Sequence, residues 1–207
     1  MKLYFIRHGE NQANIEKILS HKIVDYSLTL RGVEQAQYLA EWLDDHKIAR
    51  IYSSPLKRAH ETAQIIATRL KIVGIRLIEE LRELNVGVLD GKGDPDSWEL
   101  HNAILKSWWE GEPEPTFEGG ENHHGLRQRL CLSIEQIVKE NIDIKEGNIV
   151  VMGHGALFTF GLPALCTNLP IEKVSGGLRN TAVAVVEVNQ SGYNCLHWGL
   201  TDHLPPA

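Results

Sequence analysis

Two histidines stand where short apolar segments run into glycine. His8 lies in Arg7-His8-Gly9-Glu10, directly after Lys2-Leu3-Tyr4-Phe5-Ile6, and His154 lies in Gly153-His154-Gly155, after Ile149-Val150-Val151-Met152. Each apolar run has the length and composition of a buried strand, so each carries an imidazole to a strand's carboxyl end, where open α/β sheets bind ligands. Three more groups occupy comparable places. Arg7 precedes His8, Arg58 lies in the first turns after Ile51-Tyr52-Ser53, and Glu83 follows Ile75-Arg76-Leu77-Ile78 within Leu81-Arg82-Glu83-Leu84. Guanidinium forks grip phosphate oxygens bidentately and keep their charge. A neutral imidazole is a nucleophile near neutral pH. A carboxyl group protonates a leaving oxygen when burial or bound anionic charge holds its proton. Two arginines and a second imidazole can neutralise the phosphoryl oxygens, so this set calls for no metal and no cofactor.

Such a set needs a sheet to carry it. Thr29 reads as an N-cap, with Ala36, Leu39, Ala40 and Leu43 on one helical face behind it. Ser54-Pro55 predicts the start of a second helix with Pro at its first position, whose apolar face is Ala59, Ala63, Ile66, Ala67 and Leu70. Leu126, Leu130, Ile134 and Ile137 mark another helix, and one more follows Gly155. Strands are expected at 2–6, 51–53, 75–78 and 149–152, and as a pair, 181–188 and 193–198, across Asn189-Gln190-Ser191-Gly192. Alternating strands and helices predict an α/β chain: a single three-layer α/β/α domain over residues 1–207 with a mostly parallel central sheet. Residues 85–125 read as a small cap insertion over the sheet's carboxyl edge, with a short helix near Trp98–Trp109 and a loop at 111–120. Leu204-Pro205-Pro206-Ala207 reads as a frayed tail.

The chain has 207 residues and a net charge of −6, from 21 basic and 27 acidic residues. That balance argues against nucleic acid as a partner, while leaving room for a local cationic cleft that takes a small anion. Cys131, Cys166 and Cys195 are far apart and form no CxxC pair, so buried free thiols in a reducing compartment are expected. No secretion signal is read before the first strand and no run reaches membrane-spanning length, so the expected setting is cytoplasmic, without a membrane partner.

Arg7-His8-Gly9-Glu10 with Asn14 resembles the Arg-His-Gly signature of the histidine phosphatase superfamily, in its phosphoglycerate-mutase-like branch. Ser53-Ser54-Pro55-Leu56-Lys57-Arg58-Ala59 with Thr62-Ala63 is similar to the second family block. Leu81-Arg82-Glu83-Leu84 with Gly87 and Asp90-Gly91 is similar to the block that carries the acid, and Met152-Gly153-His154-Gly155 to the second histidine block. Gly120-Glu121 with Arg129, and Asn180-Thr181, resemble weaker positions. The resemblance implies a phosphomonoesterase in which His8 becomes phosphohistidine and Glu83 is acid and then base. It also implies that Arg7, Arg58 and His154 bind the phosphoryl group, with Asn14 and the Gly155 N–H adding contacts. The implied partner is a small-molecule phosphoester. Two alternatives stand beside hydrolysis: a cofactor-dependent phosphoglycerate mutase and a non-catalytic phospholigand-binding module. Mutases of this kind carry a longer insert between the acid and the second histidine, and the compact segment from Glu83 to His154 favours hydrolysis. Asn11, where the family often has Thr or Ser, Val88-Leu89 without the usual aromatic, and Gly153 before His154 depart from the pattern.

Other residues have plainer readings. His123-His124 lack a third ligand at useful spacing, so a solvated or cap-loop role is expected over metal binding. Trp98, Trp108 and Trp109 are expected to pack the small helix onto the domain, with pocket lining as the alternative. His21, after Ser20, reads as an ordinary loop residue, with reach into the site from that loop as the alternative.

Overall fold

Alternate residues of the first strand enter opposite cores. In the computed structural model, which describes residues 1–111, 115–144 and 146–205, six strands form one sheet: β1 (Lys2–Arg7), β2 (Ile48–Ser53), β3 (Ile75–Leu77), β4 (Asn148–Gly153), β5 (Val183–Asn189) and β6 (Gly192–Leu200). Their order is β3-β2-β4-β1-β5-β6. The first four run parallel, β5 is antiparallel to β1, and β6 to β5. The helices are α1 (Gln12–Glu16), α2 (Leu30–Leu43), α3 (Lys57–Leu70), α4 (Pro95–Glu110), α5 (His123–Glu140) and α6 (Gly155–Leu165).

Leu3, Phe5, Ile149 and Val151 pack with Leu130 and Ile134 of α5 and Leu157 and Phe158 of α6. Tyr4, Ile6, Val150 and Met152 pack with Leu39 and Leu43 of α2 and Ala63 and Ile66 of α3. The period of two in the strands meets a period of three to four in the helices, and a mostly parallel sheet is thereby covered on both faces, as the sequence predicts. Each large side chain so buried contributes about 1.5–3 kcal/mol of transfer free energy. Register fixes what matters for chemistry: Arg7 pairs with Gly153, so β1 and β4 end side by side and deliver His8 and His154 to neighbouring places.

The expected cap lies between β3 and α5. Residues 85–125 hold α4 and one short 3-10 turn at Gly87–Leu89, and a second turn at Glu79–Leu81 precedes them. Part of the expected loop at 111–120 and the tip of the expected frayed tail, residues 112–114 and 206–207, fall outside the described residues. Among the described residues no helix is long and apolar enough to cross a membrane.

Several local readings are corrected. Thr29 does cap α2, accepting from Gly32 N–H at 3.0 Å, but Ser54-Pro55 does not start α3. That helix begins at Lys57 with Leu56 as its N-cap, and the Lys57 N–H is taken by Asp25 from a distant loop at 2.9 Å. Ser54 Oγ accepts from Leu56 N–H at 3.3 Å, one residue before the helix, and also meets His154, so the first helical N–H is left to Asp25. Helix α1 escapes a periodicity search because it has only five residues. It is started by Asn11 and Asn14, whose side chains each accept from the other's backbone N–H at 3.2 Å. Thr181 is not in a strand. It holds a left-handed φ of +59°, costly for a β-branched residue, and its N–H reaches the carbonyls of Arg7 at 3.0 Å and His8 at 3.2 Å. Cys166 is buried and free as expected, whereas Cys131 and Cys195 are free but only half-buried. Gly32 in α2 approaches Glu10 so closely that a Cβ would lie 2.0 Å from its carbonyl oxygen. The loop after β1 therefore rests directly on helix backbone.

Candidate active site

A cavity of about 500 Å³ opens at the carboxyl ends of β1 and β4. Arg7, His8, Asn14, Arg58, Glu83 and Gly155 all line it, so six of the residues singled out from sequence are brought together. His154 is fully buried and is not part of that lining; its ring centroid lies 5.2 Å from that of His8.

The His8 imidazole has defined partners on both nitrogens. Nδ1 lies 2.6 Å from the Gly9 carbonyl oxygen, so Nδ1 carries the proton and donates. Nε2 accepts from Arg58 Nε–H at 3.1 Å, which marks it as the lone-pair nitrogen of the ring. The loop holding this ring is tied from several sides. Gly9 N–H donates to Thr62 Oγ1 at 3.0 Å, Thr62 Oγ1–H donates to the Arg58 carbonyl at 2.7 Å, and His8 N–H donates to the Gly153 carbonyl at 3.1 Å. Thr62, which belongs to the second motif, thus couples the loop bearing His8 to the helix bearing Arg58.

Burial, with Arg58 and then Arg7 adding like charge, pushes His8 well below its usual 6.5. His154 is pushed the same way by burial first, then by Arg58 and His8. Both imidazoles are neutral at pH 7. An unfolded chain takes up protons on these histidines as pH falls through 6.5, while the fold does not. Stability is therefore full above 6.5 and is lost as pH drops towards the folded values, at up to about 1.4 kcal/mol per pH unit for each site. Thermal melts are expected to show Tm falling steadily from pH 6.5 to 5; a flat Tm over that range would contradict neutral burial.

The arginines are held by backbone carbonyls rather than carboxylates. Arg7 Nη1–H donates to Leu178 O at 2.6 Å, and its buried Nε has no partner. Arg58 Nη2–H donates to Ser20 O at 2.8 Å, with Asp25 at 3.9 Å. Burial lowers both from their usual range, and guanidinium stays protonated regardless. His154 Nε2 lies 2.8 Å from Ser54 Oγ, and its Nδ1 is buried without a partner. Asn14 Oδ1 accepts from Asn11 N–H and from Asn180 Nδ2 at 3.1 Å, which turns its own amide N–H groups outward. Asn11 Nδ2 is a further buried, unpartnered donor in the cavity wall. Two orphaned donors of cavity-lining residues, Arg7 Nε and Asn11 Nδ2, leave hydrogen-bonding capacity that suits an anion, with the unpartnered His154 Nδ1 buried behind the lining. Asn11 went unrecognised in the sequence because it reads there as a departure at a hydroxyl position.

Glu83 lies over the N-terminus of α6. Oε1 accepts from Leu84 N–H at 2.8 Å and Leu157 N–H at 3.0 Å, and Oε2 from Ala156 N–H at 3.3 Å. Its backbone is clamped from below. Arg129 forks onto Glu121 at 2.7 and 2.8 Å and donates to the carbonyls of Arg82 at 2.8 Å and Glu83 at 3.2 Å. His21 does not line the cavity; its Nδ1 lies 2.8 Å from the Glu83 carbonyl oxygen, so it supports the backbone that carries Glu83. Gly153 is required by packing, since a Cβ there would lie 2.6 Å from Phe158 Cζ.

The aromatic segment divides. Trp108 is buried in the core, 5.1 Å from and parallel to the His123 ring, whereas Trp98 and Trp109 line the cavity. His123 is thus a buried packing residue rather than a solvated one; His124 is exposed. Among the described residues no three His, Cys, Asp or Glu side chains group as metal ligands.

The family model of the histidine phosphatase superfamily (branch 1) matches residues 3–201. A 2,3-bisphosphoglycerate-dependent phosphoglycerate mutase of Thermoplasma acidophilum is 46% identical over 183 residues, 88% of this chain and 85% of that protein. A metal-independent phosphoserine phosphatase of Arabidopsis thaliana is 28% identical over 208 residues, 98% of this chain and 83% of that one. Among solved structures, a phosphoserine phosphatase from Entamoeba histolytica, in complex with phosphoserine, superposes with a TM-score of 0.80 at 25% identity, covering 99% of both chains. With its motifs in order along one sheet edge and the family model matching from the first strand to the last, this chain belongs to the histidine phosphatase superfamily, branch 1.

Proposed function

We propose that the protein hydrolyses small phosphomonoesters through a phosphohistidine on His8. The observation that carries this reading is the pairing of a neutral, buried His8, whose Nε2 lone pair faces the cavity, with Arg58 at 3.1 Å. Substrate phosphate enters among Arg7, Arg58, Asn14, the Gly155 N–H and His154. Arg58 turns from Nε2 to a phosphoryl oxygen and frees the lone pair. Nε2 attacks phosphorus, the bond to the ester oxygen breaks, and Glu83 gives its proton to the departing alcohol. The ring is then cationic, and Nδ1–H stays on the Gly9 carbonyl. Water next loses a proton to Glu83, its oxygen attacks phosphorus, and the P–N electrons return to Nε2. The phosphoryl charge is met by fixed groups of the chain, so the reaction as written uses no metal ion.

A second reading, phosphoglycerate mutase, is favoured by the 46% identity to a mutase. The compact segment between Glu83 and His154 weighs on the side of hydrolysis, and the identity over 85% of that mutase on the side of transfer. The two activities differ in what accepts the phosphoryl group: water, or a second oxygen of a phosphoglycerate held in the site.

Rapid quench with ³²P-labelled phosphoester is expected to trap an acid-labile, base-stable phosphoenzyme that decays to inorganic phosphate. Interconversion of 2- and 3-phosphoglycerate outpacing phosphate release would favour the mutase. Absence of any phosphoenzyme would sink both readings.

A further inference from the structure

The cavity has two ends of different chemistry. At the inner end stand the charged and orphaned groups that meet a phosphoryl group. Towards the cap the wall becomes apolar, formed by Val86, Trp98, Leu105, Trp109 and Phe160. Trp109 and Phe160 lie ring against ring at 4.9 Å, and Trp98 is fixed by donating Nε1–H to the Lys17 carbonyl at 2.6 Å. Arg7 and Arg58 are the only Lys or Arg side chains among the described residues lining this cavity, and both belong to the phosphoryl end. The outer polar groups are uncharged. Thr159 Oγ1 is buried without a partner, and the cavity-lining His101, whose Nδ1 lies 3.1 Å from Asn102 Oδ1, is kept neutral by burial.

A second anionic group on the substrate would lose part of its hydration against this apolar wall, with no Lys or Arg of the lining to meet it and Glu83 nearby. Uncompensated burial of a carboxylate is among the most costly events in a protein interior. An aromatic or apolar body would instead cover the two indoles, and one neutral hydroxyl would satisfy Thr159.

Resting on the phosphohistidine reading above, we propose that the preferred substrates are monoesters of alcohols with an uncharged, apolar or aromatic body, and that carboxylate-bearing monoesters are rejected at the cap end. The site then discriminates by what it leaves unpaired rather than by size. Trp98, Trp109 and His101 come from α4, so specificity resides in the inserted segment while the chemistry resides at the sheet edge.

The test compares kcat/KM for 2-phenylethyl phosphate and 3-phosphoglycerate. Both leave as alkyl alcohols, so leaving-group basicity does not decide the outcome. Formation of the ³²P-phosphoenzyme from each is measured in parallel. A preference of about 100-fold or more for 2-phenylethyl phosphate is expected. Trp109→Ala should cut that kcat/KM about tenfold while leaving the Ki of orthovanadate, which fills the phosphoryl end alone, unchanged. Equal or better use of 3-phosphoglycerate, with the phosphoenzyme formed, would overturn the substrate class and leave the phosphohistidine standing. A Trp109→Ala variant that weakens vanadate as much as phenylethyl phosphate would overturn the assignment of the wall. No phosphoenzyme from either ester would overturn the underlying reading and this proposal with it.

Discussion

His8→Asn is expected to lower kcat/KM about 10⁵-fold, or about 7 kcal/mol of transition-state stabilisation, and to abolish the acid-labile phosphoenzyme. Arg7, Arg58 and Asn14 would still bind phosphate, so Ki for orthovanadate should move far less than kcat. The loss is large because the imidazole has no substitute within reach. His154 is also neutral, but its Nε2 is committed to Ser54 and the side chain stands outside the cavity lining. Asparagine can still donate to the Gly9 carbonyl, and the loop's backbone bonds to Gly153, Thr62 and Thr181 do not involve the ring. A melt close to wild type is therefore expected, which separates lost chemistry from lost fold. Retention of more than a hundredth of the activity would place the nucleophile elsewhere.

Glu83→Gln is expected to lower kcat about 10³-fold for an ester with an alkyl leaving group. Phosphorylation of the enzyme by p-nitrophenyl phosphate should fall far less, because p-nitrophenolate departs without a proton. Breakdown of phosphohistidine needs the base with either substrate, so the phosphoenzyme should accumulate in the variant and appear as a burst in stopped flow. Glutamine Oε1 can keep the bonds from Leu84 and Leu157, leaving only the longer contact from Ala156 unmatched. The fold should therefore survive. Equal losses for both leaving groups, with no burst, would mean that Glu83 orients α6 and transfers no proton.

The parts of this protein legible in its sequence are those governed by local pattern. Strand ends show because an apolar run stops at a polar residue and a glycine, as at Ile6-Arg7-His8-Gly9 and Met152-Gly153-His154. The helical faces of α2, α3 and α5 show because burial against a sheet imposes a period. Apart from α1, too short to show a period, the missed features depend on partners distant in the chain. Asp25 takes the first N–H of α3, while Ser54 Oγ accepts from Leu56 N–H and also meets His154, a hundred positions away. Asn11 reads as a departure from a motif, yet its amide is an orphaned donor at the phosphoryl end. Thr181 pairs like a strand residue in the pattern, but its left-handed turn is what satisfies the carbonyls of Arg7 and His8.

Sequence alone determined which candidate groups stand at the strand ends, because type and order of residues are local facts: a guanidinium, an imidazole, a carboxyl. Tertiary structure alone decided their state and their reach. Burial and two neighbouring arginines make His8 neutral, and the Gly9 carbonyl selects its tautomer. The same packing sends Trp108 into the core and leaves Trp98 and Trp109 on the cavity wall. Protonation and exposure depend on what surrounds a group in space, and neighbours in space are what a linear pattern does not carry.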